Sequence, residues 1–289
     1  MTRGQRGGFS NLVLLLILVA FVGWWLDRSP EESDEPEVPS DRVARIEREL
    51  TPIGSQGSQA STGSQGSQGS AGSQGAAGSP SSNGSPMREG IAALVLMDVS
   101  GSMSESVSDG GQERPKIVVA RRAAQSLIHQ FATYAAGHPD EPVLVGLFEF
   151  SERRGDPSVR EVIPLSPADP ARTEAALARM RADGGTPIGD AMVAAKRALD
   201  SSGLTRRHLL VVTDGENTDG YKPADVMKAL ARRPEQERPS VYFVAFDVAA
   251  SRFSGVRDGG GLVLEAANAA DLDATLNSLL TGKILVEGP

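Results

Sequence analysis

Three short loops, far apart along the chain, carry side chains that together fit one metal site. The first loop holds Asp98, Ser100 and Ser102 and follows an apolar run. Thr186 stands before a helical segment in the second loop, and Asp214 follows another apolar run in the third. All five side chains offer carboxylate or hydroxyl oxygen, and none offers sulfur or imidazole. Ligand sets of this kind bind hard divalent cations, so the loops predict such a site.

Apolar runs and amphipathic segments alternate from residue 88 onward, and this alternation must position the three loops. The run from Ile91 to Met97 is continuous, as in a strand that is buried on both faces. The predicted strands are 91–97, 143–150, 159–165, 208–213, 241–247 and 262–265, and the predicted helices are 115–136, 172–181, 187–201, 223–232 and 270–280. Strands that alternate with helices indicate an α/β fold with a mostly parallel central sheet and helices on both faces.

In such a sheet, ligands bind beyond the carboxyl ends of the strands, where the strand order reverses. Asp98 and Asp214 each follow a predicted strand, and Thr186 begins a predicted helix, so we expect all three at that edge. Gly101 permits the tight turn between the two serines. Two carboxylates offset the divalent charge and three hydroxyls add none, which leaves Mg²⁺ electrophilic and open to a carboxylate from a partner.

Each loop also has an ordinary structural explanation when it is taken alone. Asp-Val-Ser-Gly-Ser is a common turn composition after a strand. Thr186 before Pro187 is a common helix N-cap, and Asp214-Gly215 is a common turn at a strand end. Their joint occurrence, in this order and on these elements, favours the metal site.

The chain from about 90 to 281 resembles a von Willebrand factor type A (VWA) domain with a metal-ion-dependent adhesion site. That family's signature is Asp-x-Ser-x-Ser, a downstream Thr before a helix and a later Asp-Gly. The sequence matches it at Asp98, Ser100, Ser102, Thr186 and Asp214. The surroundings Leu-Val-Leu-Met-Asp-Val-Ser-Gly-Ser-Met and Gly-Gly-Thr-Pro-Ile-Gly-Asp-Ala resemble bacterial members most. The resemblance implies a Rossmann-like fold and protein binding through Mg²⁺ or Mn²⁺, with the hydroxyls as direct ligands and the two aspartates often acting through water.

A long polar segment, Ser104 to Glu113, departs from the family's pattern between the first loop and its helix. It would either shape the choice of partner or be a plain surface loop. Asp190, one turn after Thr186, would either support the metal site or be an acidic residue favoured near a helix N-terminus. A second cation at Glu216, Asn217 and Asp219 is disfavoured, because these residues do not fit the calcium-loop pattern.

The N-terminal sequence predicts a membrane anchor. Residues 9–26 are uncharged and mostly apolar, and a helix of that length spans about 27 Å, enough for a bilayer core. Trp24 and Trp25 suit the interface, and basic residues precede the span while acidic residues follow it. This pattern places residues 1–8 in the cytoplasm and the chain after Leu26 in the periplasm or outside the cell. A cleaved signal peptide is the alternative, but cleavage after Ala20 or Gly23 would leave a large residue at the −3 position.

Residues 27–87 form the predicted linker, which is acidic first and then rich in Gly, Ser and Gln. As a coil of about 60 residues it would span roughly 45 Å. Within it, residues 42–50 have the pattern of a short helix with Val43, Ile46 and Leu50 on one side, too short to be stable alone. Residues 88–289 form the predicted VWA domain.

Composition and motifs together favour a binding module over an enzyme. The net charge of −8 argues against nucleic acid as a partner, and the lack of cysteine excludes thiolate sites. No hydrolase serine motif, phosphate loop or zinc-protease motif is present. We therefore expect a single-pass membrane protein that captures a partner's Asp or Glu through a bound Mg²⁺ or Mn²⁺. The alternatives are a structural domain that the metal stabilises and, less favoured, a metal-dependent hydrolase.

Overall fold

A computed structural model describes residues 39–51 and 87–286 of the 289-residue chain. The chain divides into two compact units, residues 1–41 and residues 42–289, and only three residues of the first belong to the described part. The predicted membrane span, 9–26, and most of the predicted linker lie outside the described residues. Among the helices that are described, none combines the length and the apolarity of a membrane-crossing segment.

A six-stranded sheet forms the centre of the larger unit. Its strands lie in the order β5-β4-β1-β6-β7-β8, and every neighbouring pair is parallel except β4 with β5. The strands are β1 (Arg88–Asp98), β4 (Val143–Phe150), β5 (Val159–Ser166), β6 (Leu204–Thr213), β7 (Ser240–Phe246) and β8 (Leu262–Ala266). The central strands are buried on both faces, as their continuous apolar runs predicted. The mostly parallel α/β fold is therefore confirmed.

Helices cover both faces of the sheet, and each face has its own apolar core. The helices are α1 (Pro39–Glu49), α2 (Lys116–Gly137), α3 (Pro170–Leu177), α4 (Ile188–Ser201), α5 (Pro223–Ala231), α6 (Ser254–Asp258) and α7 (Ala269–Leu279). Side chains of α2, α3 and α7 pack with odd-numbered residues of β1, such as Val95. Side chains of α1, α4 and α5 pack with even-numbered residues, such as Leu94. This split follows from the alternation of side chains along a strand.

The polar segment after the first loop forms a β-hairpin, so of the two alternatives that the sequence left open it is not a plain surface loop. Strands β2 (Ser106–Asp109) and β3 (Gln112–Pro115) pair antiparallel around Gly110 and Gly111, which both have positive φ. Such a Gly-Gly turn matches the twist of a hairpin. Val107 is buried in the core of the α2 face. Arg122 of α2 donates to Asp109 at 2.7 Å and lowers the pKa of that carboxyl.

Helix α1 corresponds to the short helix that the sequence predicted within the linker. Val43, Ile46 and Leu50 are almost fully buried and belong to the core of the second face. Because an isolated helix of this length is marginal in water, that packing supplies its stability. The structure thus adds an ordered element to the stretch 27–87, whose parts 27–38 and 52–86 lie outside the described residues.

Candidate functional site

The first and third loops meet where the strand order reverses. From β1 the chain crosses to β4 on one side, and it later returns to β6 on the other side of β1. Asp98 is the last residue of β1, and Asp214 follows β6 directly. The two aspartates therefore flank the crevice where ligands bind in open parallel sheets, as the sequence predicted.

Asp98 is wholly buried and held by two donors. The amide of Ser100 donates to its Oδ1 at 2.7 Å, and the hydroxyl of Thr213 donates to its Oδ2 at 2.6 Å. Burial away from water raises the pKa of Asp98 to about 7, although these two hydrogen bonds oppose the rise. The nearby charge of Asp214 adds to it. A carboxylate in this setting gains from a neighbouring cation.

The two serines of the first loop connect Asp98 to Asp214. The hydroxyls of Ser100 and Ser102 lie 3.1 Å apart, and Ser102 Oγ donates to Asp214 Oδ1 at 2.7 Å. Gly101, between them, donates its amide to the carbonyl of Gly184 at 2.9 Å, which joins the first loop to the second. Four of the five predicted ligands are therefore linked by short hydrogen-bond contacts.

Thr186, the fifth predicted ligand, is fixed by the loop after Asp214. Its amide donates to Thr218 Oγ1 at 2.8 Å, and the amide of Thr218 donates to the Thr186 carbonyl at 3.1 Å. A β-carbon placed on Gly215 would lie 3.7 Å from Ser102 Oγ and 3.8 Å from Thr186 Oγ1. The two hydroxyls thus flank one small space beside Gly215. The structure brings all five predicted residues together.

The donor set fits Mg²⁺ or Mn²⁺. An octahedral Mg²⁺ with ligands at about 2.1 Å has neighbouring oxygens about 3 Å apart, close to the spacing of the Ser100 and Ser102 hydroxyls. No group of three or more His, Cys, Asp or Glu side chains within residues 39–51 and 87–286 is placed to hold a metal. A site here would therefore rest on two carboxylates and on hydroxyls, the ligand types of a hard cation.

The other candidate residues have partners of their own. Asp190 Oδ1 accepts the amide of Tyr221 at 2.9 Å, and burial raises its pKa in spite of that bond. Glu216 is exposed and pairs with Arg252. Asp219 accepts the hydroxyl of Thr218, which itself holds Thr186. These residues support the loop between Asp214 and α5.

Sequence reasoning missed Lys116, the first residue of α2, at this site. Its ammonium lies 3.1 Å from Asp214 Oδ2 and is almost fully buried. Burial by itself lowers the pKa of Lys116, but hydrogen bonds to Asp247, Asp214 and Glu105 outweigh it and raise the pKa. No motif includes this lysine, because its contacts join four separate segments of the chain.

Comparison with known proteins relates part of this chain to a described domain family. Residues 93–216 match the family model described as von Willebrand factor type A domain. No curated protein matches this sequence significantly. The search of solved structures found many matches. They include the PilB minor pilin from Streptococcus sanguinis, with 16% identity and a TM-score of 0.53, over 71% of this chain and 64% of the pilin.

Two further structures have a TM-score of 0.50. BatB from Bacteroides thetaiotaomicron shares 18% identity over 66% of this chain and 98% of its own. The pilus adhesin SpaC from Lactobacillus rhamnosus GG shares 16% identity over 68% of this chain but only 31% of its own. The match therefore spans less than two thirds of the pilin and of the adhesin. At these identities the likeness to solved structures shows the fold alone, and the match to the von Willebrand factor type A domain rests on the family model over residues 93–216.

Proposed function

We propose that this protein is a membrane-tethered, divalent-cation-dependent protein-binding module that captures a partner's carboxylate. The observation that carries the proposal is the convergence of five oxygen side chains at the strand-order reversal: Asp98, Ser100, Ser102, Thr186 and Asp214. In this proposal they hold Mg²⁺ or Mn²⁺, which supplies an electrophilic centre for an incoming ligand.

The composition of the site favours a carboxylate as that ligand. Two aspartates balance a divalent cation without excess negative charge, and Mg²⁺ keeps exchangeable positions when few protein groups bind it. An Asp or Glu of a partner protein would then complete the ligand set. Two of the similar structures are a minor pilin and a pilus adhesin, which supports a role in protein interaction.

A catalytic role has less support at this site. A metal-dependent hydrolase needs a general base within reach of the metal-bound water. Of the two candidates, Glu216 is ion-paired with Arg252, and Asp190 accepts a hydrogen bond from the amide of Tyr221. We therefore propose that the module binds and does not hydrolyse.

The tether rests on the sequence pattern of residues 9–26. We propose that this segment anchors the chain in the inner or plasma membrane, with the VWA domain on the periplasmic or extracellular side. Alkaline extraction of cell membranes tests it: the full chain should stay in the pellet. Release of the intact chain into the wash would contradict the anchor.

Metal-dependent capture tests the binding function. The full chain, solubilised in detergent, is used as bait on solubilised membranes with Mg²⁺ or with EDTA. We expect a partner that is retained only with Mg²⁺ and that is lost with Thr186→Val, which removes one hydroxyl and keeps the side-chain shape. Asp140→Ala, an exposed carboxylate between α2 and β4, is the matched control and should retain the partner. Retention that ignores chelation would contradict the proposal.

A structural role for the metal is the second candidate, and the burial of Asp98 favours it. A cation at this position would offset the cost of a buried charge and raise the melting temperature by mass action. A rise of the melting temperature with Mg²⁺, without any metal-dependent partner, would favour this role over capture.

A further inference from the structure

Lys116 is a buried ammonium among three carboxylates at the edge of the site. Only 4% of the residue is exposed. Its Nζ lies 3.1 Å from Asp214 Oδ2, 3.0 Å from Asp247 Oδ2 and 3.2 Å from Glu105 Oε2. Asp214 thus offers Oδ1 to the Ser102 hydroxyl and Oδ2 to the ammonium, so both of its oxygens are engaged.

Asp247, one of the three partners of Lys116, has an uncommon backbone conformation. Asp247 has a φ of +55°, and among the described residues it is the one non-glycine residue with positive φ. Its amide donates to the carbonyl of Ala266 at 2.8 Å, which fixes it beyond the end of β7. Backbone conformations of this kind persist where the surroundings enforce them, and they cluster at functional sites.

We infer that Lys116 is a built-in counter-ion that positions Asp214 and weakens the intrinsic affinity of the site for a divalent cation. The inference rests on the proposed metal site. A metal held beside Ser102 would meet an Asp214 whose charge the ammonium already offsets, and the two cations would repel each other. The outer partners, Glu105 and Asp247, have side chains that are 67% and 40% exposed, so water screens their charge more than that of Asp214.

This arrangement favours a metal that binds well only when a partner completes its ligand set. The two aspartates and Lys116 together carry a charge of −1, and a divalent cation turns that into +1. An incoming carboxylate would restore neutrality. Lys116 therefore acts as a positioning residue. It lowers the affinity of the site for the metal alone and favours the metal once a partner's carboxylate has joined its ligand set.

The test measures binding of Mn²⁺ alone to the full chain in detergent, from the loss of the paramagnetic signal of free Mn²⁺. Lys116→Met removes the charge and keeps an unbranched side chain, and we expect its Kd for Mn²⁺ to fall about tenfold. Lys116→Arg keeps the charge and should stay within about threefold of the native protein. Lys222→Met, an exposed lysine on the loop after Asp214, controls for a simple change of net charge and should have little effect.

The direction of the effect separates this role from a structural one, because damage to the fold would weaken binding. Unchanged or weaker Mn²⁺ binding by folded Lys116→Met would overturn the inference. No Mn²⁺ binding by the native protein would instead overturn the metal site itself, so the two failures are distinguishable.

A second pair of variants keeps the inference testable if Lys116→Met does not fold. Asp247→Asn leaves the ammonium more fully to Asp214, so we expect it to weaken Mn²⁺ binding several-fold. Glu216→Gln removes an equal charge near the site without touching Lys116 and should weaken binding less. Equal effects of the two variants would overturn the inference.

Discussion

The sheet edge that carries the proposed metal site, around Asp98 and Asp214, and the packing of helix α1 are held together by opposite kinds of interaction. At the edge, charged and polar side chains such as Asp98 are buried and satisfy one another through hydrogen bonds. At α1, three apolar side chains supply the contact, and ion pairs such as Arg232 with Glu47 lie at its rim. Buried polar groups are costly unless all are paired, whereas apolar burial stabilises by area alone. The two regions thus differ in the interactions that hold them, and we expect the edge around Asp98 to be the one that responds to pH and metal.

The largest expected effect is the pH dependence of the metal-free protein. Asp98 has a pKa of about 7 in the folded chain and an ordinary value of 3.8. Between these values the folded protein binds more protons than the unfolded protein, so its stability falls as pH rises from about 4 to about 7. The full shift corresponds to about 4 kcal/mol, an upper bound.

Denaturant unfolding in EDTA measures this pH dependence of the unfolding free energy. The native protein and Asp98→Asn are compared at pH 5 and at pH 8. The neutral variant lacks the titration, so the native protein should lose stability relative to it as pH rises. A constant difference between the two proteins at both pH values would show that Asp98 does not carry the dependence.

The second-largest expected effect is that Asp98→Asn loses the stabilisation that Mg²⁺ gives the native protein. At a Mg²⁺ concentration 100 times its Kd, the native protein should gain about 2.7 kcal/mol. Asp98→Asn should gain almost nothing, because the site loses half of its carboxylate charge. Thermal unfolding with Mg²⁺ and with EDTA measures it. A full metal shift in the variant would mean that the cation binds elsewhere.

The third effect belongs to α1 and should leave the metal site intact. Ile46→Ala removes a fully buried side chain and should cost about 2 kcal/mol of unfolding free energy. Arg48→Ala, on the exposed side of the same helix, should cost less than about 0.5 kcal/mol. Denaturant unfolding measures both, and Mn²⁺ affinity should stay within about twofold in each. A large loss of Mn²⁺ affinity in Ile46→Ala would show that the two regions depend on each other.

The same division explains what the sequence could predict. Strand β4 has the predicted bounds, 143–150, and the ligand loops lie where the apolar runs end. These features follow from short-range patterns. The hairpin after Ser104 and the contacts of Lys116 do not, because they depend on which distant segments meet. The helical pattern of residues 42–50 was visible, but the surface that covers Val43 and Ile46 comes from residues far along the chain.

Substitution of Tyr221 should give the smallest change in unfolding free energy. This residue contacts both α1 and Asp190, which lies near the proposed metal site. Its hydroxyl donates to Glu49 Oε1 of α1 at 2.6 Å, and its amide donates to Asp190 of α4 at 2.9 Å. Burial and the bond to Glu49 raise the pKa of Tyr221 to about 12, so the phenol remains a donor at neutral pH. Tyr221→Phe removes the first contact and keeps the second, so it tests whether α1 reaches the metal site through this side chain.

We expect Tyr221→Phe to cost about 1 kcal/mol in denaturant unfolding, because a partly exposed carboxylate regains water when its donor is lost. Glu49→Gln should cost a similar amount, since it weakens the same bond from the other side. Mn²⁺ affinity should change less than about twofold in both variants, because the amide of Tyr221 still holds the loop through Asp190. A matched tenfold loss in both would instead show that α1 sets the geometry of the metal site, and the separation between a stabilising region and a functional region would then fail at this residue.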